Sequence, residues 1–330
     1  MSANRWALPF RRGLWLAVCS VAGAMPAPAA AQSYPAKPIE LVVHTSAGGG
    51  GDLFARTVGD ILTREKFLPQ PLIISNKAGG GGAIAFNYVA SKRGDPYVIV
   101  AAPSTIVLTV PLRSGLDIGH DRLTPLGALG LGPAVLTVPA DAPYRTLTEF
   151  IEAAKREPGS IVIAFGSYGG GSHYLAYQLE KATGARFKTV SMKGAQAVLA
   201  VLGGHVHATT ENLSEVIAHV EGKKMRVLGI PVAQRLEAAP GIPTMREQGL
   251  ALRSGTVRGF AAPAGIPKEA AAVLEAALHN VQQSAAWKNH TTRTQMENTW
   301  MSGAAFGRYL TERQPEMAQF MKDAGLVGKP

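Results

Sequence analysis

Cysteine is nearly absent: Cys19 is the only one among 330 residues. An internal disulfide framework is therefore excluded. Acidic side chains are also scarce, 23 against 33 lysines and arginines, which leaves a formal charge of +10. Such a balance admits nucleic acid, an anionic surface or anionic small molecules as partners. The basic residues are scattered, however. The densest groups are "KRG" (92–94) and "GKKMR" (222–226), and no aromatic residues interleave with them, which argues against nucleic acid. Beyond the first 31 residues no apolar run approaches the roughly 20 residues of a membrane span, so a soluble protein is expected.

The first segment has its own logic. "MSANRWALPFRRGLWLAVCSVAGAMPAPAAAQ" begins with Arg5, Arg11 and Arg12, continues with an apolar run from Gly13 to Met25, and ends in Ala29-Ala30-Ala31. That order reads as a secretory signal peptide over residues 1–31, cut after Ala31. Arg11-Arg12 raises twin-arginine export and Cys19 a lipoprotein, but Val18 stands where a lipoprotein wants a small residue. Removing the segment takes away the lone cysteine and three arginines, leaving 299 residues and a charge of +7. That length buries a sizeable core, organised as two domains.

Short β-rich runs alternate with helical stretches. Strands are expected at 39–44, 72–75, 97–101, 126–129, 135–138, 161–165, 187–190, 206–210, 226–230 and 257–261. Helices are expected at 52–64, 83–91, 147–155, 172–183, 195–202, 213–220, 268–284 and 304–323. In the first helix, Phe54, Val58, Ile61 and Leu62 fall on one face. The alternation predicts an α/β protein with mostly parallel sheets flanked by helices. It runs in two series, with a late strand in "TVRGFAAPAGIP" that the second series does not need. We therefore expect a discontinuous first lobe (32–131 and 253–330) and a second lobe (132–252), the chain crossing in Pro/Gly-rich stretches.

Three glycine runs precede helices: Gly48–Gly51, Gly79–Gly82 and Gly169–Gly171. Bare backbone lets N–H groups approach a ligand, and a helix start adds unpaired donors and a positive dipole end. Together they bind anions without a basic side chain, beyond the carboxyl ends of the strands. No run carries the lysine of a phosphate loop, and Leu53 and Tyr174 break the dinucleotide pattern. Phe165 stands where a nucleophile elbow around Ser167 needs glycine. The hydroxyls of Thr45, Ser46, Ser167 and Ser172, added to bare N–H groups, suit a carboxylate. Each run taken singly also reads as an ordinary tight turn, and Asp52 as a helix-start residue that shapes its loop. Two rival chemistries stay open: a zinc site from His173, His205 and His207, the last two on one strand face, and a serine hydrolase using Ser167 or Ser172 with a histidine.

The order of motifs is familiar. "YPAKPIELVVHTSAGGGGDLFAR", "NKAGGGGAIAFNYVA", "MKGAQAVLAVLGGHVHATTENLSEVIAHVEGKKMRVLGI", "RLEAAPGIPTMREQGL" and "GFAAPAGIPKEA" resemble, in sequence order, the substrate-binding proteins of tripartite tricarboxylate transporters, the TctC or Bug family. The resemblance covers Tyr34 to Leu326. It implies a type II periplasmic binding protein with two lobes, no catalysis, no cofactor and no metal. A small carboxylated metabolite would be held in the cleft by backbone N–H groups, small hydroxyls and water. The partners implied are that metabolite and the membrane permease subunits, and the receptor is expected to be a monomer. Carried over by position, the ligand-binding residues are Thr45, Ser46, Gly49, Gly50 and Asp52 in the first lobe, and Ser167, Gly169, Gly170 and Ser172 in the second. Ser104 is the pocket-side small residue, Lys193-Gly194 fill the family's K-G positions, and Glu211 and Asn212 its D-N positions. The chain departs from the family where "HTSA" replaces a proline-rich lead, where Tyr174 stands at a histidine position with His173 one earlier, and where Met192 replaces tyrosine, Glu211 aspartate and His207 an acid. These departures bear on the ligand more than on the fold. A sensor subunit that presents ligand to a membrane kinase would use the same binding chemistry.

Overall fold

The computed structural model describes residues 34–114, 119–166, 168–192 and 195–328; the expected signal segment, Ser167, Lys193 and Gly194 lie outside them. The chain begins with β1 (Ile39–Val43), α1 (Gly50–Arg64), β2 (Leu72–Asn76), α2 (Ala83–Ala90), β3 (Val98–Pro103), α3 (Ser104–Ser114) and β4 (Leu123–Gly132). A middle section follows with β5 (Leu136–Pro139), α4 (Leu147–Arg156), β6 (Val162–Phe165), α5 (Gly171–Thr183), β7 (Lys188–Ser191), α6 (Gln196–Leu202), β8 (Ala208–Thr209), α7 (Leu213–Glu221) and β9 (Met225–Gly229). Last come β10 (Thr256–Pro263), α8 (Lys268–Gln283), α9 (Ala285–Arg293), β11 (Glu297–Ser302) and α10 (Gly303–Asp323).

These elements build a two-lobed α/β fold. One lobe holds a six-stranded sheet in the order β11-β4-β10-β3-β1-β2, the other a five-stranded sheet in the order β7-β6-β8-β5-β9. Both sheets are mixed rather than mostly parallel. β1 pairs parallel with β2 and β3, and β6 with β7 and β8, but β10 runs antiparallel to β3 and β4, and β5 to β8 and β9. The cause is the crossing itself. β4 leaves the first sheet and β10 returns to it, so two strands lying side by side must run in opposite directions. Their pairing extends from Thr256 opposite Gly132 to Pro263 opposite Leu123. At the crossing Gly255 has φ +143°, and a Cβ there would stand 2.9 Å from Pro133 Cα, so the two backbones pass too closely for any side chain.

Hydrophobic patterning explains the packing. β1 is buried on both faces at Leu41, Val42 and Val43, as a central strand covered by helices requires. The apolar face of α1 lies on the sheet, with Phe54 stacked 5.2 Å from Phe260 and edge-on to Trp287 at 6.0 Å. On the opposite side one buried cluster runs from Val42, Phe86 and Val107 through Leu131, Val135 and Val257 to Val198 and Met225, so the same core continues through both lobes. Three elements were not expected from the sequence: α3, α9 and β11. The strand expected at 206–210 shortens to β8, which places His205 and His207 ahead of it. Among the described residues no helix is long and apolar enough to cross a membrane.

Candidate functional site

The first glycine run lies where β1 ends and α1 begins, and its shape is set by Asp52. This buried carboxylate accepts from the Gly48 N–H at 2.8 Å, Arg56 Nε at 2.9 Å and Asn76 Nδ2 at 2.9 Å. The same Asn76 amide donates to the Thr45 carbonyl at 2.9 Å. The Arg56 bond, aided by Gly48 and Asn76, outweighs burial and holds the carboxyl down at about 2. Asp52 is thus consumed by the loop, the role its helix-start position suggested. Gly49 closes a turn onto the Ser46 carbonyl at 3.1 Å. Among the described residues the amides of Gly50 and Gly51 donate to nothing.

The second run is a tight turn that only glycine can make: Gly79, Gly80, Gly81 and Gly82 have φ of 128°, 56°, 61° and 111°. It sits against the first run and α3. A Cβ on Gly82 would lie 2.9 Å from Ile106 and 3.7 Å from His44, while one on Gly51 would lie 3.2 Å from the His44 ring. The third run belongs to the other lobe and reaches the first at two points. A Cβ on Gly171 would stand 3.2 Å from Thr256 Oγ1 and 3.7 Å from Thr105, at the start of α3. Arg113, at the far end of α3, lies between runs: its Nη1 is 3.1 Å from a Cβ on Gly81 and its Cδ 3.8 Å from one on Gly169. All three glycine turns therefore belong to one junction between the sheets. The amides of Gly171 and Ser172, like those of Gly50 and Gly51, have no acceptor among the described residues.

Side chains at the junction fall into two groups. Some are engaged. Ser104 Oγ is buried and accepts from the Val257 N–H at 3.1 Å, tying α3 to β10. His173 Nδ1 accepts from the Gly169 N–H at 3.3 Å, and its ring stacks on Phe165 at 4.2 Å. Burial pushes its pKa down to about 4, so it is neutral near pH 7. Tyr174 is hydrogen-bonded to Glu316 of α10. Asn212 Nδ2 donates to Glu215 at 2.7 Å, and Ser172 contributes its carbonyl to Thr210 Oγ1 at 2.8 Å. Others are orphaned. His44 Nδ1, Thr45 Oγ1 and Glu211 Oε1 are buried with no hydrogen-bond partner among the described residues. Burial first and Arg258 second lower His44 to about 4. Burial first and Glu215 second raise Glu211 to about 8, so its carboxyl is protonated near neutrality. Ser46 is exposed at the rim.

Ser167 and the Lys193-Gly194 pair lie outside the described residues. The histidines do not converge. His207 Nδ1 accepts from the Val162 N–H at 3.1 Å, and among the described residues no group of three His, Cys, Asp or Glu side chains is placed to hold a metal ion. Arg113, Thr105, Thr256 and Arg258 were not anticipated. Arg258 carried a signal, a lone charge inside an apolar strand; Arg113 carried none, because α3 itself was not expected.

A model of the tripartite tricarboxylate transporter family receptor matches residues 54–326. Protein BugT of Bordetella pertussis is 32% identical over 241 residues, 72% of each chain. A crystal structure of a TctC solute binding protein from Polaromonas aligns with a TM-score of 0.78 at 32% identity, covering 88% of this chain and 100% of that one. An R. palustris protein solved with adipate aligns with a TM-score of 0.75 at 24% identity, covering 89% and 99%, a likeness of fold.

Proposed function

The chain belongs to the tripartite tricarboxylate transporter receptor family, and on that premise we propose that it captures a small organic carboxylate at the glycine junction and passes it to membrane permease subunits. Receptors of this family are periplasmic solute-binding proteins and not enzymes. The hydrolase expectation is corrected accordingly; His173 spends its Nδ1 on the Gly169 amide rather than on a serine.

What carries the reading is the coincidence, at one junction, of amides from both lobes and buried polar atoms that have no hydrogen-bond partner among the described residues. Gly50 and Gly51 come from the first lobe, with Thr45 Oγ1 3.0 Å from where a Cβ on Gly51 would stand; Gly171 and Ser172 come from the second, where Glu211 Oε1 lies 3.0 Å from where a Cβ on Gly166 would stand. A buried polar atom without a partner costs about 1–3 kcal/mol, so a ligand that satisfies several of them has a ready source of affinity. A carboxylate accepts; N–H groups and a threonine hydroxyl donate, and a Glu211 kept neutral adds no repelling charge. In this reading Thr45, Ser46, Gly50, Gly51, Gly170, Gly171, Ser172 and Glu211 face the ligand, while Gly49, Asp52, Ser104, Gly169 and Asn212 hold the loops.

Residues 1–31 serve as the export signal, the crossings near 131 and 253 act as the hinge, and the receptor works as a monomer. Ligand bridging both lobes favours the closed state by its differential affinity. The adipate-bound fold relative supports the ligand class. Calorimetric titration of the purified protein against mono-, di- and tricarboxylates, aromatic acids and acidic amino acids tests the reading. Binding by at least one member, weakened in Gly170→Val, is expected. Silence across the panel sinks it.

A further inference from the structure

Beside the junction, on the α1 side of the crossing strands, lies a cavity of about 170 Å³. Its wall is shared by the lobes: Gly50, Leu53 and Phe54 from the start of α1, Asn212, Leu213 and Ser214 from the start of α7. Arg258 on β10 and Gln295, just after α9, complete it. For comparison, an apolar cavity of about 150 Å³ houses benzene, so this one accommodates a single ring or a chain of similar bulk.

Among the described residues the Arg258 guanidinium and Gln295 Oε1 have no hydrogen-bond partner. Arg258 makes no ion pair or hydrogen bond among the described residues; its guanidinium lies over the Phe54 ring at 5.7 Å. The charged and titratable groups around it do not cancel it. His44 and His290 are both held below the ordinary histidine value, by burial first, with Arg258 contributing, and Glu215 acts on it without forming a bridge. Gln295 is 8% exposed, its Nε2 donates to the Thr292 carbonyl at 3.2 Å, and its Oε1 is buried with no donor. Its backbone sits at φ +55°, an uncommon conformation for a side chain other than Asn, Asp or Gly. The rest of the lining is largely apolar.

We infer that this cavity is a binding site for a compact carboxylate with an apolar body and one hydrogen-bond donor, Arg258 supplying the counter-charge and Gln295 Oε1 accepting from the donor. A guanidinium recognises carboxylate with two parallel N–H bonds. The first-turn amide at Ser214 adds a donor from the α7 side. The glycine cradle reads charge through the backbone and tolerates many acids; Arg258 and Gln295 select by side chain. The inference rests on the receptor reading only in taking the ligand to be a carboxylate.

The probes are 4-hydroxybenzoate, benzoate and 4-hydroxybenzamide, titrated calorimetrically into the full exported chain. The unaltered protein should bind 4-hydroxybenzoate at least tenfold more tightly than the neutral amide. Arg258→Gln should erase that difference, and Arg258→Lys should restore part of it. Gln295→Asn, which places there a residue more tolerant of the left-handed backbone and shortens the side chain, should remove the advantage of 4-hydroxybenzoate over benzoate. Leu53→Trp fills the cavity from an exposed position outside the core, should leave the melting temperature within a few degrees of the parent, and should abolish binding of both acids. Equal affinity in Arg258→Gln and the parent, or no benzoate binding by the parent, overturns the inference. If other carboxylates then bind and Gly170→Val weakens them, the receptor reading survives alone. If benzoates bind through Arg258 while Gly170→Val changes nothing, the cavity stands and the glycine cradle falls.

Discussion

Replacing Gly50 with alanine separates what the first glycine turn does for the fold from what it does for a ligand. A Cβ at this position meets no protein atom within 4 Å, and its φ lies outside the left-handed region. The substitution is therefore unstrained. By restricting the unfolded chain it should stabilise the protein by about 0.4–1 kcal/mol, which raises the melting temperature by roughly 1–3 °C in a chain of this size. The new methyl occupies open space next to the unused amides of Gly50 and Gly51, where a carboxylate oxygen would rest. Losing one charge-assisted hydrogen bond there costs about 1.5–3 kcal/mol, or roughly ten- to a hundredfold in Kd. The two effects have opposite signs, and that makes the test sharp. Thermal melts and calorimetric titration with any carboxylate that binds the parent are measured on the same preparation. A stabilised variant with unchanged affinity would show that the run is a turn and nothing more.

Further outcomes follow from the titratable groups. Asp52→Asn presents an amide NH2 to at least one of three donors, so it should cost about 2–3 kcal/mol, read as a lowered urea midpoint, and should weaken ligand binding through the loosened loop. Because the folded pKa of Asp52 is depressed to about 2, its contribution in the parent is present above the ordinary value of 3.8 and is lost as pH falls toward 2. Glu211 has the opposite sign. Its folded pKa is raised from 4.5 to about 8, so the folded state keeps a proton that the unfolded chain releases, and stability should decline as pH rises between those values. Melting temperatures from pH 5 to 9 should slope downward in the parent and flatten in Glu211→Gln; parallel slopes would mean that Glu211 is ionised in the fold.

The architecture was legible where one periodicity dominates. The Phe54, Val58, Ile61 and Leu62 face of α1 is buried as its spacing requires, and the run leading into it is a central strand. α3 was not legible because "STIVLTVPLRS" is rich in β-branched residues and contains Pro111; it becomes a helix because Val107, Leu108 and Val110 fill the core beneath it. β11 escaped because "ENTWMS" lacks alternation and gains its strand only by pairing with β4 at the sheet edge. Strand direction was invisible too, since a buried antiparallel strand and a parallel one carry the same apolar run. At the site, the glycine runs announced themselves, whereas their convergence did not. It depends on His44 lying 3.2 and 3.7 Å from where Cβ atoms on Gly51 and Gly82 would stand, and on Arg113 lying between Gly81 and Gly169, which the order of residues along the chain does not reveal.

The central claim is that backbone amides from both sheets grip the ligand, and nuclear magnetic resonance of protein labelled with nitrogen isotope in glycine and serine reads it directly. During titration with a bound carboxylate, the amide resonances of Gly50, Gly51, Gly171 and Ser172 should shift together and saturate with the calorimetric affinity. Saturable binding that leaves all four unmoved would contradict the account.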